Sequence, residues 1–469
     1  LSAFRRVLGR ADLLLFSVAA ILTIDTLASA ASVGVAWFTW WAITLVMFFL
    51  PYGLMTAELG AAWPGEGGLY IWVREGLGAR WGSLAAWFYW VNNAYWIPSV
   101  YMVFAGTFHS IFLRAHLPAD LQDGPAATWI QTLVALLVTW LSVALGVVRL
   151  QVAKWVPNVG AVVKVAIFVA LGLLGLQALL SGQPPANDFS LIRFVPSWTD
   201  SLRFLPVLYY NALGFELMSG AGDEMRDPQR DVPRVILLSG LIIGVVYTLG
   251  VGGILLAVPL SQLSLLTGTW DALSVLGRQW GAFGDSGVLL LGIGFLYACV
   301  ANIVTWSLGV NRVAAIAAQE GALPKLLGRL HPRFATPYMA FVVMGAIASA
   351  LLLGNAALSE NASNVFWMVF RLSGLCFLLS YLLLFPAFVA LRRKRPDQPR
   401  PYRMPGSPLA VNAAAAVCWL AIALMCALFF QPAEGADHAQ AVRESWLLGL
   451  ETLLTLAVGL LFVPWRSRD

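Results

Sequence analysis

Four ionisable side chains stand out within long apolar stretches: Asp25, Lys164, Glu216 and Arg371. An ion near the centre of a bilayer costs at least about 2.5–3.5 kcal/mol on insertion scales, so each marks a candidate pathway or binding group. Two acids and two bases can also neutralise one another, and Asp25 with Lys164 is the natural pair. Arg371 is explained most simply by snorkelling or by bonds to free carbonyls. For the others the chemistry on offer is carriage of a coupling proton or recognition of a charged substrate group.

Asp25 and Glu216 share a second feature. The first lies in Ile24-Asp25-Thr26-Leu27-Ala28-Ser29-Ala30-Ala31-Ser32, and the second ends Tyr210-Asn211-Ala212-Leu213-Gly214-Phe215-Glu216, with Ser219-Gly220-Ala221-Gly222 close behind. Small and polar residues make both poor places for an unbroken helix. Unwound backbone at membrane depth survives only where protein buries it or a cavity faces it. Two interrupted helices at corresponding positions of two halves point to a transporter binding site, and close packing of small residues is the plainer alternative. Free N–H groups at such a break attract a carboxylate, and free carbonyls hold an ammonium. The candidate substrate positions are Asp25, Thr26, Ala28, Ser29, Ala30, Asn211, Gly214 and Glu216, with Asn93 added. Tyr89, Tyr95, Tyr210 and Trp306 are candidates to stack on an ammonium or to act as gates. Lys164, Glu216 and Asp25 are the candidate coupling residues.

The elements that hold these residues follow from composition. Of 469 residues 59% are hydrophobic and only 11% charged, with a mean hydropathy of +0.77. Soluble domains sit near 45–50% apolar and about 25% charged. The chain therefore reads as one membrane-embedded domain over 1–469. A helix needs about 20 apolar residues to cross roughly 30 Å of hydrocarbon. Twelve stretches qualify: 13–34, 36–60, 82–113, 128–147, 155–181, 204–222, 235–257, 287–310, 339–355, 364–391, 408–431 and 446–464. The expected fold is an all-α polytopic bundle with both termini on one side. The first and sixth spans, the two that carry the breaks, stand five apart, as a 5+5 repeat requires.

With the termini placed in the cytoplasm, 22 of the 29 Lys and Arg fall in cytoplasmic segments and 5 on the other side. That split fits the positive-inside rule, and it explains a net charge of +5 without nucleic acid. Helical spans place the chain in an inner rather than an outer membrane, which uses barrels. The first apolar run carries Asp25 and lacks a small-residue cleavage site, so it does not read as a signal peptide. Cys299, Cys376, Cys418 and Cys426 lie in apolar runs with no CxxC spacing. His109, His116, His331 and His438 lie at span ends or in loops, so no metal or nucleophile–base cluster forms in sequence. No GxxxxGK[ST] run is present to power a pump. No cofactor, metal or enzymatic activity is expected. Secondary transport leads, and a channel or a receptor is the remote alternative. The expected partners are lipid and a small amino acid or amine, with a homodimer as a compatible assembly.

Four loop motifs then carry a resemblance. They are Ala57-Glu58-Leu59-Gly60 followed by Pro64-Gly65-Glu66-Gly67-Gly68-Leu69-Tyr70; Glu224-Met225-Arg226-Asp227-Pro228-Gln229-Arg230-Asp231-Val232-Pro233; Asn311-Arg312 with Gln319-Glu320-Gly321-Ala322-Leu323-Pro324 and Thr336-Pro337; and Arg400-Pro401-Tyr402-Arg403-Met404-Pro405-Gly406. In this order they resemble the amino acid–polyamine–organocation (APC) superfamily over nearly the whole chain, in particular its glutamate/γ-aminobutyrate antiporters and its polyamine and amino acid permeases. The resemblance implies a LeuT-like fold with discontinuous helices 1 and 6. Its inverted repeats would be 1–181 and 204–391, with the last two spans, 408–464, outside them. It implies alternating access around the two breaks. It also implies that Tyr210 is a substrate-stacking gate, Glu216 a proton- or substrate-sensing acid, Trp306 a gating tryptophan and Tyr89 the tyrosine of the third span. Lys164 resembles the lysine that replaces sodium in sodium-independent members. The departure is at the first break, where family amino acid permeases carry a glycine-rich GSGIF-like run. Here Asp25 to Ala30 has no glycine and adds an acid. That favours an amine, whereas the resemblance to the glutamate/γ-aminobutyrate antiporters favours acidic substrates.

Overall fold

The structure is a computed structural model that describes residues 10–65, 67–147, 155–196, 200–217, 228–278, 281–358, 361–431 and 438–463. Arg5, Arg6, Glu66, Arg149, Lys154, the Ser219–Gly222 run, Glu224 to Asp227, Arg466 and Arg468 lie outside the described residues. Every regular element within them is helical. In chain order they are α1 Arg10–Ile21, α2 Leu27–Ala31, α3 Trp37–Ala62, α4 Gly68–Leu77, α5 Ala79–Phe108, α6 Gly124–Val147, α7 Trp155–Leu180, α8 Leu205–Tyr210, α9 Pro228–Ala257, α10 Gly268–Gly277, α11 Gly281–Gln319, α12 Tyr338–Leu358, α13 Ala362–Lys394, α14 Pro408–Leu428 and α15 His438–Phe462.

Among the described residues ten helices are long and apolar enough to cross a membrane: α3, α5, α6, α7, α9 and α11 to α15. They match every expected span except the first and sixth, the two read as interrupted. α11 continues to Gln319, well past the expected end at 310. Hydropathy marks the apolar middle of a helix, whereas backbone hydrogen bonding decides where it stops.

The first break is not where the small residues suggested. Ala28, Ser29 and Ala30 lie inside α2, and the chain unwinds earlier, over 22–26. Alanine is the best helix former, so the alanine-rich stretch stays coiled. Thr23, Asp25 and Thr26 instead offer side chains that compete with the helical hydrogen bonds. The second break spans 211–214, and Gly214 closes it at φ +130°, a conformation that side chains rarely adopt. In α3 the helix widens into one π turn at Leu45–Phe49, ending three residues before Tyr52. α5 and α13 form the centre, packed against each other along their length. α14 and α15 lie outside, with Leu420, Leu453 and Leu461 more than half exposed, as lipid-facing residues are.

Candidate substrate site at two broken helices

A helix end leaves its last four carbonyls without intrahelical donors. At the end of α1, Val18 O accepts from Leu22 N at 3.0 Å. The next three carbonyls are met by side chains from three other helices. Lys164 Nζ of α7 donates to Ala19 O at 2.6 Å, Trp306 Nε1 of α11 to Ala20 O at 2.8 Å, and Tyr247 Oη of α9 to Ile21 O at 3.0 Å. Tyr247 Oη also accepts from Thr23 N at 2.9 Å.

Asp25 and Lys164 do not form the direct ion pair their charges suggested. Asn302 stands between them: Lys164 Nζ donates to Asn302 Oδ1 at 2.5 Å, and Asn302 Nδ2 donates to Asp25 Oδ1 at 3.2 Å. Trp96 Nε1 holds the other Asp25 oxygen at 3.1 Å. An amide has one face that accepts and one that donates, so it links a cation to an anion with every atom correctly matched.

The second break is closed by the opposite chemistry. Gly214 N and Phe215 N both donate to Tyr52 Oη at 3.1 Å, and that hydroxyl donates to Glu216 Oε2 at 2.5 Å. Tyr89 Oη donates to the other carboxylate oxygen at 2.8 Å. The two breaks are stitched together by Asn211, whose Oδ1 accepts from the hydroxyls of Thr23 and Thr26 at 2.7 Å each. Gly214 packs so tightly that an added Cβ would lie 3.0 Å from Ile21 and 3.1 Å from Trp306.

Aromatic rings fill the space beside the breaks. Phe377 of α13 packs edge-on against Trp306 at 5.3 Å and Tyr210 at 5.2 Å, and Trp306 meets Trp96 at 6.0 Å. Asp25, Lys164 and Glu216 are each no more than 2% exposed, so the site is closed to solvent. A cavity of about 880 Å³ opens beyond it, lined by Gly34, Asp188, Arg193, Phe204 and Leu260, and stops short of both breaks.

Nine expected residues therefore gather at the breaks: Asp25, Thr26, Tyr89, Lys164, Tyr210, Asn211, Gly214, Glu216 and Trp306. Ser29 is buried in α2, where its Oγ makes no hydrogen bond. Asn93 turns away, donating to Ser307 Oγ at 3.0 Å and Met344 Sδ at 3.1 Å. Tyr95 also points elsewhere, its hydroxyl 2.9 Å from Thr455 of α15. Arg371 lies apart from the breaks; it donates to Phe429 O at 2.9 Å and to Glu444 at 3.3 Å, as a plain carbonyl-binding arginine would. Tyr52, Trp96, Tyr247, Asn302 and Phe377 were not foreseen. Only Asn302 left a trace in sequence, as a lone amide within the apolar run 298–304.

At the arginine-rich end the motif loops close on one another. Glu58 accepts from Arg392 Nε at 2.9 Å and from Met404 N at 2.8 Å, with Arg400 Nε 3.2 Å away. Glu320 accepts from Tyr70 at 2.5 Å and pairs with Arg74. Burial, with the Glu320 carboxylate beside it, pushes the Tyr70 hydroxyl up to about 12, which keeps it a donor. Two glutamates thus tie α3 to α13 and α4 to the end of α11.

A bundle of ten membrane-length helices among the described residues, with buried acids at two breaks in the chain, is the architecture of a multi-pass membrane protein. The sequence pattern of the "Amino acid permease" family matches residues 3–456. The chain belongs to that family, within the APC superfamily that the motif loops resemble. It is 34% identical over 392 residues to the "Probable agmatine/putrescine antiporter AguD" of Lactococcus lactis, covering 83% of this chain and 80% of that protein. It is 27% identical over 368 residues to the "Polyamine transporter PUT1" of rice (Oryza sativa), covering 77% and 62%. Among solved structures, a manganese transporter mutant of Eremococcus coleocola superposes with a TM-score of 0.60 over 98% of this chain and 97% of the other, at 11% identity. That likeness concerns the fold.

Proposed function

We propose that the protein is a sodium-independent secondary transporter for an amine-bearing compound of the agmatine or polyamine kind, working by exchange or proton symport. The observation that carries this reading is the occupancy of the two breaks. The N–H groups of Gly214 and Phe215, which would cradle a carboxylate, are already held by Tyr52. Asp25, held by Trp96 and Asn302, and Glu216, held by Tyr52 and Tyr89, are buried acids at the two breaks, and acids there favour an ammonium over a further carboxylate. Two of the relatives, one named as an agmatine/putrescine antiporter and one as a polyamine transporter, agree with that chemistry. Lys164 supports sodium independence: its ammonium, bound to the Ala19 carbonyl, leaves little electrostatic room for a sodium ion beside it.

In this reading the halves 1–181 and 204–391 move against each other around the breaks. The glutamate clusters at Glu58 and Glu320 hold the arginine-rich end shut. That end faces the cytoplasm of an inner membrane, following the 22 to 5 distribution of basic residues.

Counterflow in liposomes tests the substrate class with three pairs: arginine against agmatine, ornithine against putrescine, and glutamate against γ-aminobutyrate. Each pair differs by one α-carboxylate. Agmatine and putrescine are expected to compete at least as well as their parents. Movement only of compounds with an intact α-carboxylate would instead make the protein an amino acid exchanger. Unsaturable flux with single-channel currents would make it a channel.

A further inference from the structure

On the outer face of the bundle a groove of about 740 Å³ runs between α13 and α14, backed by Phe385, whose ring meets Tyr52 at 6.4 Å. Its origin is Pro386. Proline has no N–H, so the carbonyl four residues back, that of Leu382, loses its helical donor. Trp419 Nε1 of α14 supplies the missing hydrogen bond at 3.0 Å. The indole bridges the two helices at this level, while the small side chains of Ala415 and Ala416 leave a channel below it. From Pro386 to Lys394 the helix rises about 12 Å at 1.5 Å per residue, so the groove follows the last two turns of α13. Val389 and Leu420 make its walls apolar.

The mouth has a different character. It is formed by Arg393, Lys394 and Asn412 at the arginine-rich end. The cations around it are committed: Arg392 to Glu58, Arg395 to Glu75 at 3.4 Å, and Lys394 to Gly76 O at 2.8 Å. Arg393 is exposed and makes no hydrogen bond or ion pair among the described residues. Its guanidinium keeps five donors in a fork that suits a phosphate. An apolar slot that ends at a free guanidinium where a helix leaves the bilayer matches a lipid, with tails below and an anion above.

We propose that this groove is a binding site for an anionic phospholipid, with one acyl chain lying between Pro386 and Trp419 and the headgroup phosphate on Arg393, beside Asn412. A second copy of the chain suits the mouth less well. A two-fold contact here would bring unpaired arginines together.

Native mass spectrometry of the purified protein, titrated with phosphatidylglycerol or with phosphatidylcholine of the same chains, tests the site. Phosphatidylglycerol is expected to bind about fivefold tighter, the size of one cation's attraction near an anionic surface. Arg393→Gln should remove that preference, and Ala416→Phe, which fills an exposed part of the groove, should weaken both lipids. Arg395→Gln should change neither, since that side chain is paired with Glu75. Glycerophosphoglycerol, the headgroup without tails, should fail to compete. Equal binding of the two lipids, or a preference that survives Arg393→Gln, would overturn the proposal. So would competition by the tail-less headgroup, or a shift from dimer to monomer in place of lost lipid.

Discussion

At the end of α1 three carbonyls face donors from α7, α9 and α11, whereas on the far side of the break after α8 two N–H groups, those of Gly214 and Phe215, converge on one oxygen, that of Tyr52. The first break is thus an acceptor site held by a cation and two ring donors. The second is a donor site held by a phenol that passes its own proton toward Glu216. A buried polar group left unpaired costs about 1–3 kcal/mol, so neither break persists without its partners. The contrast assigns different work to each. The first break is braced from outside by Lys164, so its geometry depends on charge. The second is braced by a neutral hydroxyl, so its geometry depends on whether Glu216 can accept.

The largest effect is expected at Lys164. Lys164→Met removes the buried cation and leaves Asp25 uncompensated, which should lower stability by about 3–5 kcal/mol and abolish counterflow. Thermal unfolding in detergent separates lost folding from lost transport. Normal unfolding and normal flux would break the comparison.

Tyr52→Phe comes next, because it orphans Gly214 N and Phe215 N together. The loss should be about 1–3 kcal/mol, with transport reduced at every pH. An unchanged protein would mean that the second break needs no brace.

The coupling of Asp25 to Lys164 sharpens the first half of the contrast. In a double-mutant cycle Asp25→Asn should partly rescue Lys164→Met, with a coupling of about 0.5–3 kcal/mol. Repeating the cycle on Asn302→Ala should shrink that coupling, because the amide carries the link. An equal coupling on both backgrounds would give the two charges a direct interaction instead.

The smallest structural change is Glu216→Gln, which keeps an acceptor for Tyr52 or Tyr89. It should leave unfolding almost unaltered while flattening the dependence of flux on external pH. A pH profile identical to wild type would remove Glu216 as the proton-linked acid.

Much of this was legible from residue type alone. Asp25 and Glu216 announced the two breaks because charge in an apolar run has few other reasons to exist. The loop motifs announced the family, and Glu58, Tyr70, Glu320 and Arg400 prove to be partners across the arginine-rich end. Tyr52 was invisible, since a tyrosine one residue after a proline in an apolar helix reads as packing. Ala28 to Ala30 misled because small residues permit unwinding without requiring it. The partners of Asn93, Ser307 and Met344, were not legible, because a polar residue's position along a helix does not say which neighbour it faces.

Composition and order of residues by themselves determined that this chain crosses a membrane many times, where its ions sit along it, and which two spans are discontinuous. Those properties are local or additive, fixed by the cost of each group in hydrocarbon. Only the tertiary structure decided who answers each ion. Asn302 lies 138 residues from Lys164 and 277 from Asp25, yet hydrogen-bonds to both. Hydrogen bonds depend on ångström-scale distance and direction, and those are set by how the helices pack rather than by the order of residues along the chain.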